Sequence, residues 1–457
     1  MADWKARLAK GPFLVANDYT QGSPGDWSRI TQNATEFIAK GDPGPQASTS
    51  SDAYGQLGSK ARDAAFKFLL TSDGGAFSAV RSYLLAQTQN PAANFPATLC
   101  LRDLNNWNPD AYFFQASWLL RYIVTYDFVR SALSSTDRVN IENSIRKNAY
   151  LLATQVDNGM RSVFPNRLSG DYATRTWVAA TKNGVISWWS KRYDTNGDCK
   201  VDAADAAAPG PVYAYVRADG VVGPRISELA QLFNNRRATS VLAFGAAGVL
   251  LADPVLIASA KRYTFEWLTY GVWPDGSQGE YARNGDYCIP QQGVIYSGAN
   301  TASAALLASI LTRQGDQSIQ QFSTREGLFG TEVAGTSAPK TLATAITTQL
   351  GLSHGTIKWY YHQPWQEKQD FSSANAIFGM RSYYMKSAKP LENYHELGLL
   401  PAAKLLPSAN IAPLVLREKG ATSLPFPGAT GNTVTTGWGT WTDPFNALPS
   451  VLLTRPN

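Results

Sequence analysis

Between positions 61 and 350 the apolar residues recur mostly at three- and four-residue intervals, the spacing of one buried helical face. The pattern predicts helices over 61–71 and 76–87, separated by Ser72-Asp73-Gly74-Gly75. A long amphipathic helix is expected over 110–133, with Pro109 at a favoured first-turn position. Ser135-Thr136-Asp137 predicts the cap of a further helix that runs to 156. Helical pieces are also expected over 172–190, 226–252, 254–270, 297–312 and 340–350. Paired helices with Gly- or Pro-containing loops, little strand signal and no short repeat predict a mainly α fold: an (α/α) toroid or incomplete barrel over 61–350. Residues 1–60 are rich in Gly, Pro, Ser and Asp and read as an irregular N-terminal wrap. After His354 the segments 356–361, 376–384 and 451–454 are aromatic and β-branched, which predicts a smaller β-containing C-terminal region over 351–457.

Composition narrows the class. Of 457 residues 44% are hydrophobic, enough for a core and incompatible with a disordered chain. Charged residues make up 17%, below the ~25% of an average soluble protein. The 13 Trp, 21 Tyr and 19 Phe suit a protein that handles sugars, whose C–H faces pack on aromatic rings; they would equally fill a large core. The net charge of +6 is spread thinly, with no Lys/Arg run of the kind that marks nucleic-acid tails. It would help draw an acidic substrate into a cleft. The longest apolar segment, 240–252, is shorter than the ~18 residues of a membrane span. No nucleic-acid or membrane partner is expected. The N-terminal MADWKARLAKG lacks an apolar signal core, which fits either a cytoplasmic protein or a mature chain whose signal has been removed. Low charge and many aromatics favour the second, and the expected location is secreted or periplasmic with the signal peptide outside this chain. Cys100, Cys199 and Cys288 make neither a disulfide framework nor a CxxC metal pattern. A monomer without an organic cofactor is expected.

Two stretches carry candidate chemistry. Leu232-Phe233-Asn234-Asn235-Arg236-Arg237 places two amides and two guanidiniums midway along a predicted helix. Such groups are costly in a helix interior unless they face something polar, and they suit the binding of a carboxylate. The alternative is a solvated helix face. About forty residues on, Trp273-Pro274-Asp275-Gly276-Ser277 opens a turn. It is followed by Gln278, Glu280, Tyr281, Arg283, Tyr287 and Tyr296 before an apolar helix. A tyrosine beside several arginines can have a lowered pKa and act as a base, although most single tyrosines are core aromatics.

The order of these motifs resembles the toroid polysaccharide lyases, which include alginate, glucuronan and chondroitin/hyaluronan lyases. The resemblance rests on Asn-Asn at a helix, Pro-Asp-Gly-Ser, Glu-x-x-Arg and a Tyr before an apolar helix. Tyr122–Val129, YIVTYDFV, is similar to an early toroid helix, and Asn105-Asn106-Trp107 to an aromatic platform near the cleft. Trp359-Tyr360-Tyr361-His362, Phe378-Gly379-Met380-Arg381-Ser382 and Glu392-Asn393 resemble the entry to the β-region of the chondroitin/hyaluronan type. The resemblance spans residues 100–395 and each motif is short. It implies that Asn235, helped by Arg236, neutralises a uronate carboxylate, that Arg283 precedes the acid/base tyrosine, and that this tyrosine is Tyr296 or Tyr287. Asn234, Arg237, Glu280 and Trp107 would line the substrate site. Many relatives carry His directly after the Asn pair, where this chain has Arg236; a histidine base would therefore come from His354 or His362.

Separately, Asp194, Asn196, Asp198, Asp202 and Asp205 occupy loop positions 1, 3, 5, 9 and 12 of a calcium motif, with the Lys200 carbonyl at position 7. The loop resembles those of EF-hands and dockerin repeats. It departs from them in having Cys199 at the turn-glycine position and Asp rather than Glu at position 12. It predicts one structural Ca2+.

The function implied by the resemblance is β-elimination on a 4-linked polyuronate, mannuronan/alginate or glucuronan, leaving an unsaturated uronate end. The alternatives are an α/α-toroid glycoside hydrolase, for which Glu280, Asp275 and Asp286 are the available carboxyls, and a non-catalytic acidic-glycan-binding protein.

Overall fold

The computed structural model describes residues 26–41, 58–89, 110–161, 167, 177–182, 185–190, 210–212, 214–216, 222–224, 233–278, 292–327, 330–331, 333–353, 359–362 and 385–389. Helices dominate them. In chain order the longer ones are α1 (Asp26–Lys40), α2 (Ser59–Thr71), α3 (Gly74–Gln89), α4 (Asp110–Val129), α5 (Ser135–Arg161), α6 (Asn235–Leu250), α7 (Pro254–Glu266) and α8 (Gln292–Arg313). A single turn, α9 (Ser318–Gln321), and α10 (Leu342–Ser353) follow. The mainly α expectation therefore holds. Helix α1 falls within the stretch expected to be irregular. Among the described residues no helix is long and apolar enough to cross a membrane.

The helix ends follow local chemistry. Asp253 caps α7, accepting from the N–H groups of Val255 and Leu256, and Pro254 occupies the first turn. The same carboxylate accepts from Arg146 at 2.7 Å and from the Tyr150 hydroxyl at 3.1 Å, so the cap also ties α5 to α7. Between α2 and α3, Ser72 takes a left-handed conformation and its N–H returns to the Phe68 carbonyl. Asp73 accepts from Ala76 N, starting the next helix.

Helix α6 is the hub, packing against α4, α5, α7 and α8. Its sequence is rich in Ala, Gly, Ser and Thr, and it is buried nearly all round, as a helix without a solvent face must be. Small residues set the approach distance. A Cβ at Gly245 would stand 2.8 Å from Leu307 Cδ1 on α8 and 2.9 Å from Ala260 Cβ on α7. The core continues through Phe66, Trp118, Leu119, Tyr122, Phe244, Leu268 and Ile346.

One predicted helix is overturned. Residues 172–190 contain two strands, β1 (Trp177–Lys182) and β2 (Val185–Ser190), paired antiparallel with Lys182 opposite Val185. That register leaves a two-residue connection, which in sequence is Asn183-Gly184, the dipeptide that most favours a tight hairpin. The aromatic and β-branched content of Val185-Ile186-Ser187-Trp188-Trp189 favours strand over helix. Strand β3 (Gly210–Val212) extends this sheet, and β4 (Ala214–Val216) pairs with β5 (Val222–Pro224). The minor ladders are β6 (Ser323–Thr324) with β9 (Lys340–Thr341), and β7 (Glu326–Gly327) with β8 (Gly330–Thr331). In the C-terminal region β10 (Trp359–His362) pairs with β11 (Met385–Lys389), matching the expected strand over 356–361. The expected strands over 376–384 and 451–454 lie outside the described residues. All described strand pairs are antiparallel.

At the corner after α8, Asp316 accepts from Lys261 Nζ at 2.8 Å and from the Ser318 N–H at 2.9 Å. Partial burial raises its pKa, but the bonds from Lys261 and Ser318 outweigh that and hold the carboxyl at about 2. A depressed carboxylate pKa stabilises the fold above the unfolded-state value, and this contribution is lost as pH falls through the folded value. Asp316→Asn should therefore lower Tm at neutral pH. The difference from wild type should shrink between about pH 4 and pH 2, which thermal melts across that window will read.

Candidate functional site

The Asn-Asn-Arg-Arg stretch does not sit midway along a helix. It starts one. Helix α6 begins at Asn235 rather than 226, and Asn234 is its N-cap, with extended backbone (φ −93°, ψ 165°) and a side chain that accepts from Arg237 N at 2.9 Å. An Asn at this place satisfies an N–H that the helix cannot, which is why the sequence breaks its helical pattern here. Asn235 is the first helical residue and is 5% exposed. Arg236 and Arg237 complete the first turn and are half-buried. Two guanidiniums at the positive end of a helix dipole oppose the usual charge preference. Part of the Arg237 guanidinium lies against Gly159 near the end of α5, where a Cβ would come within 2.6 Å of Nη2.

The second stretch forms a compact turn. The Gly276 N–H returns to the Trp273 carbonyl at 2.8 Å, and the Trp273 N–H to the Ser277 carbonyl at 2.8 Å. Asp275 accepts from both the N–H and the hydroxyl of Ser277. Gly276 has φ +80°, and a Cβ there would stand 2.2 Å from Thr348 Oγ1, so only glycine fits. Thr348 on α10 donates to the Asp275 carbonyl at 2.7 Å. Gln278 ends the turn and donates to Thr301 Oγ1 at 2.7 Å on α8.

Asn300 on α8 joins the two stretches. Its Nδ2 donates to the Phe233 carbonyl at 2.6 Å, just before the cap of α6, and approaches Gln278 Oε1 at 3.5 Å. Segments separated by forty residues in sequence thus meet on one helix. Tyr296 stands four residues before Asn300, inside α8, which starts at Gln292 rather than 297. His362 is the last residue of β10. Trp107, Glu280, Arg283, Asp286, Tyr287 and His354 lie outside the described residues, as does the calcium motif from Asp194 through Asn196, Asp198, Lys200 and Asp202 to Asp205.

Sequence reasoning missed several buried polar groups around this corner. Arg167 is 3% exposed at its side chain and makes a two-pronged ion pair with Glu266, at 2.9 and 2.6 Å, while also pairing with Asp157 of α5. Glu266 ends α7 and leads into a π-helical turn, Trp267–Gly271. Lys340 is fully buried and donates to the Thr269 carbonyl within that turn at 2.5 Å. Turns of this type often occur at functional sites because they free backbone carbonyls and re-aim side chains. The only sequence signals were isolated polar residues in otherwise apolar segments.

No known family model matches the chain, and no curated protein matches it in sequence.

Proposed function

We propose that this protein is a polysaccharide lyase that cleaves a 4-linked polyuronate, mannuronan/alginate or glucuronan, by β-elimination. The observation that supports the reading best is the meeting of two sequence stretches on α8: Asn300 binds the carbonyl of Phe233, next to Asn234-Asn235-Arg236-Arg237, and approaches Gln278 at the end of the Pro-Asp-Gly-Ser turn. The reading places residues 61–350 in an α/α toroid, with 351–457 as a smaller C-terminal region.

In this reading a uronate carboxylate binds at the start of α6. Asn235 and Arg236 neutralise it, with the helix dipole adding to the field, and this acidifies the C5 proton. Burial strengthens these interactions relative to water. Tyr296 or Tyr287 removes the C5 proton as phenolate and returns a proton to the departing O4. In mannuronate and glucuronate the two sit on the same side of the ring, so one tyrosine serves both steps. A phenol with a pKa of ~10 is a poor base at neutral pH unless cations stabilise its phenolate. Arg236, Arg237 and Arg283 are the cations assigned here, and the rate should rise toward alkaline pH. Asn234, Arg237, Glu280 and Trp107 complete the substrate site, and His354 or His362 is the alternative base. The protein acts as a secreted or periplasmic monomer.

The test is a comparison of each polyuronate with its carboxyl-reduced counterpart. The lyase reading expects binding and turnover of the acidic polymer and loss of both when the carboxylate becomes an alcohol. Equal turnover of the two would favour a hydrolase, which needs paired carboxyls on the enzyme rather than a carboxylate on the sugar.

The oxygen donors of Asp194, Asn196, Asp198, Asp202 and Asp205, with the Lys200 carbonyl, suit a hard cation. We assign them one structural Ca2+. Chelation should lower Tm, and added Ca2+ but not Mg2+ should restore it, because Mg2+ demands a tighter octahedral shell.

A further inference from the structure

Between α6, α7 and α8 lies a small cavity of about 10 Å³. Apolar side chains such as Val241, Leu242 and Leu307 form most of its wall, but Trp267, Asn300 and Ser303 also line it. These three are 3%, 2% and 2% exposed. Trp267 Nε1, Asn300 Oδ1 and Ser303 Oγ are each buried without a hydrogen-bond partner. A single buried polar atom left unpaired carries its full desolvation penalty, and three around one cavity need a common explanation.

The chemistry of the three atoms is complementary to one water molecule. The indole N–H only donates, the amide oxygen only accepts, and the hydroxyl does either. A water there would accept from Trp267, donate to Asn300 and bond Ser303, the three bonds typical of a buried water. The volume is at the size that admits one water, roughly 10–15 Å³. The amide orientation is fixed by its other end. Asn300 Nδ2 donates to the Phe233 carbonyl at 2.6 Å, and a flipped amide would set oxygen against oxygen.

We propose that this cavity is a binding site for one structural water, held by Trp267 Nε1, Asn300 Oδ1 and Ser303 Oγ, which locks the Asn300 amide against the Phe233 carbonyl. The water thereby braces the corner where α6 starts and links it to the π turn that Trp267 opens. The inference concerns the folded protein and does not depend on the lyase reading.

A high-resolution crystal structure of the full chain tests it. An ordered solvent peak is expected roughly 2.7–3.2 Å from all three atoms. An empty cavity, or the three atoms paired with protein groups instead, would overturn the proposal. Thermal melts give a second reading. Ser303→Ala removes one leg of the site, whereas Ser303→Val also fills the space and expels the water. The valine variant should melt below the alanine variant. A valine variant as stable as alanine, or more so, would mean a dry void that welcomes a methyl group.

Discussion

Asn235→Ala should lower kcat on the preferred polyuronate by roughly two to three orders of magnitude, the usual loss for one preorganised donor to developing charge. Tyr→Phe at the acid/base position, Tyr296 or Tyr287, should abolish turnover while leaving substrate binding largely intact, because the lost hydroxyl acts mainly in the transition state. The neighbouring amide separates chemistry from folding. Asn234 caps α6 through Arg237 N, so Asn234→Ala should reduce stability by about 1 kcal/mol. Equilibrium unfolding read beside single-turnover rates distinguishes the two. If Asn235→Ala loses stability but keeps its turnover, Asn235 is structural. If both tyrosine variants turn over normally, the base lies elsewhere, and His354 and His362 become the residues to replace.

The largest stability effect is expected at Arg167 and Glu266. Both side chains are nearly inaccessible, at 3% and 2%. Removing one partner leaves the other charged and buried, which costs about 3–5 kcal/mol. Glu266→Leu should therefore shift the urea midpoint strongly downward. Arg167→Met should do the same, because it removes the cation that pairs with both Glu266 and Asp157. The double variant Arg167→Met/Glu266→Leu should recover much of the loss, since an apolar pair of similar volume avoids the desolvation of both ions. Equal destabilisation in the double variant would show that the pair contributes net stability in its own right.

The helices were legible wherever an apolar face repeated over several turns. Residues 254–266, 342–350 and 110–129 fall inside the expected spans. Legibility failed where a local rule overrode periodicity. Asn183-Gly184 is a hairpin signal, but the apolar residues around it also fit a helical spacing, and over 172–190 the periodicity points to helix. The Asn pair interrupts a helical pattern, which by periodicity alone resembles a polar patch within a helix; the cap made by Asn234 makes it the helix's beginning. For the candidate site, the sequence showed which residue types were available but not that Asn300 would join them. A single Asn in Ser297-Gly298-Ala299-Asn300-Thr301 has no periodicity to mark it. Its importance comes from two partners, Phe233 and Gln278, 67 and 22 residues away. Arg167 and Glu266, 99 residues apart, were hidden for the same reason. Long-range polar pairs leave almost no trace in a local pattern.

The proposed reaction breaks the glycosidic bond by elimination rather than by addition of water. The most direct measurement is ultraviolet absorbance during digestion of polymannuronate and glucuronan, with hyaluronan and pectate in parallel, combined with a reducing-end assay. Each new reducing end should appear with one conjugated, ultraviolet-absorbing uronate on polymannuronate or glucuronan, and the rate should climb with pH as the tyrosine ionises. New reducing ends without any rise in absorbance would contradict it and identify a hydrolase, and tight binding with neither signal would identify a glycan-binding protein.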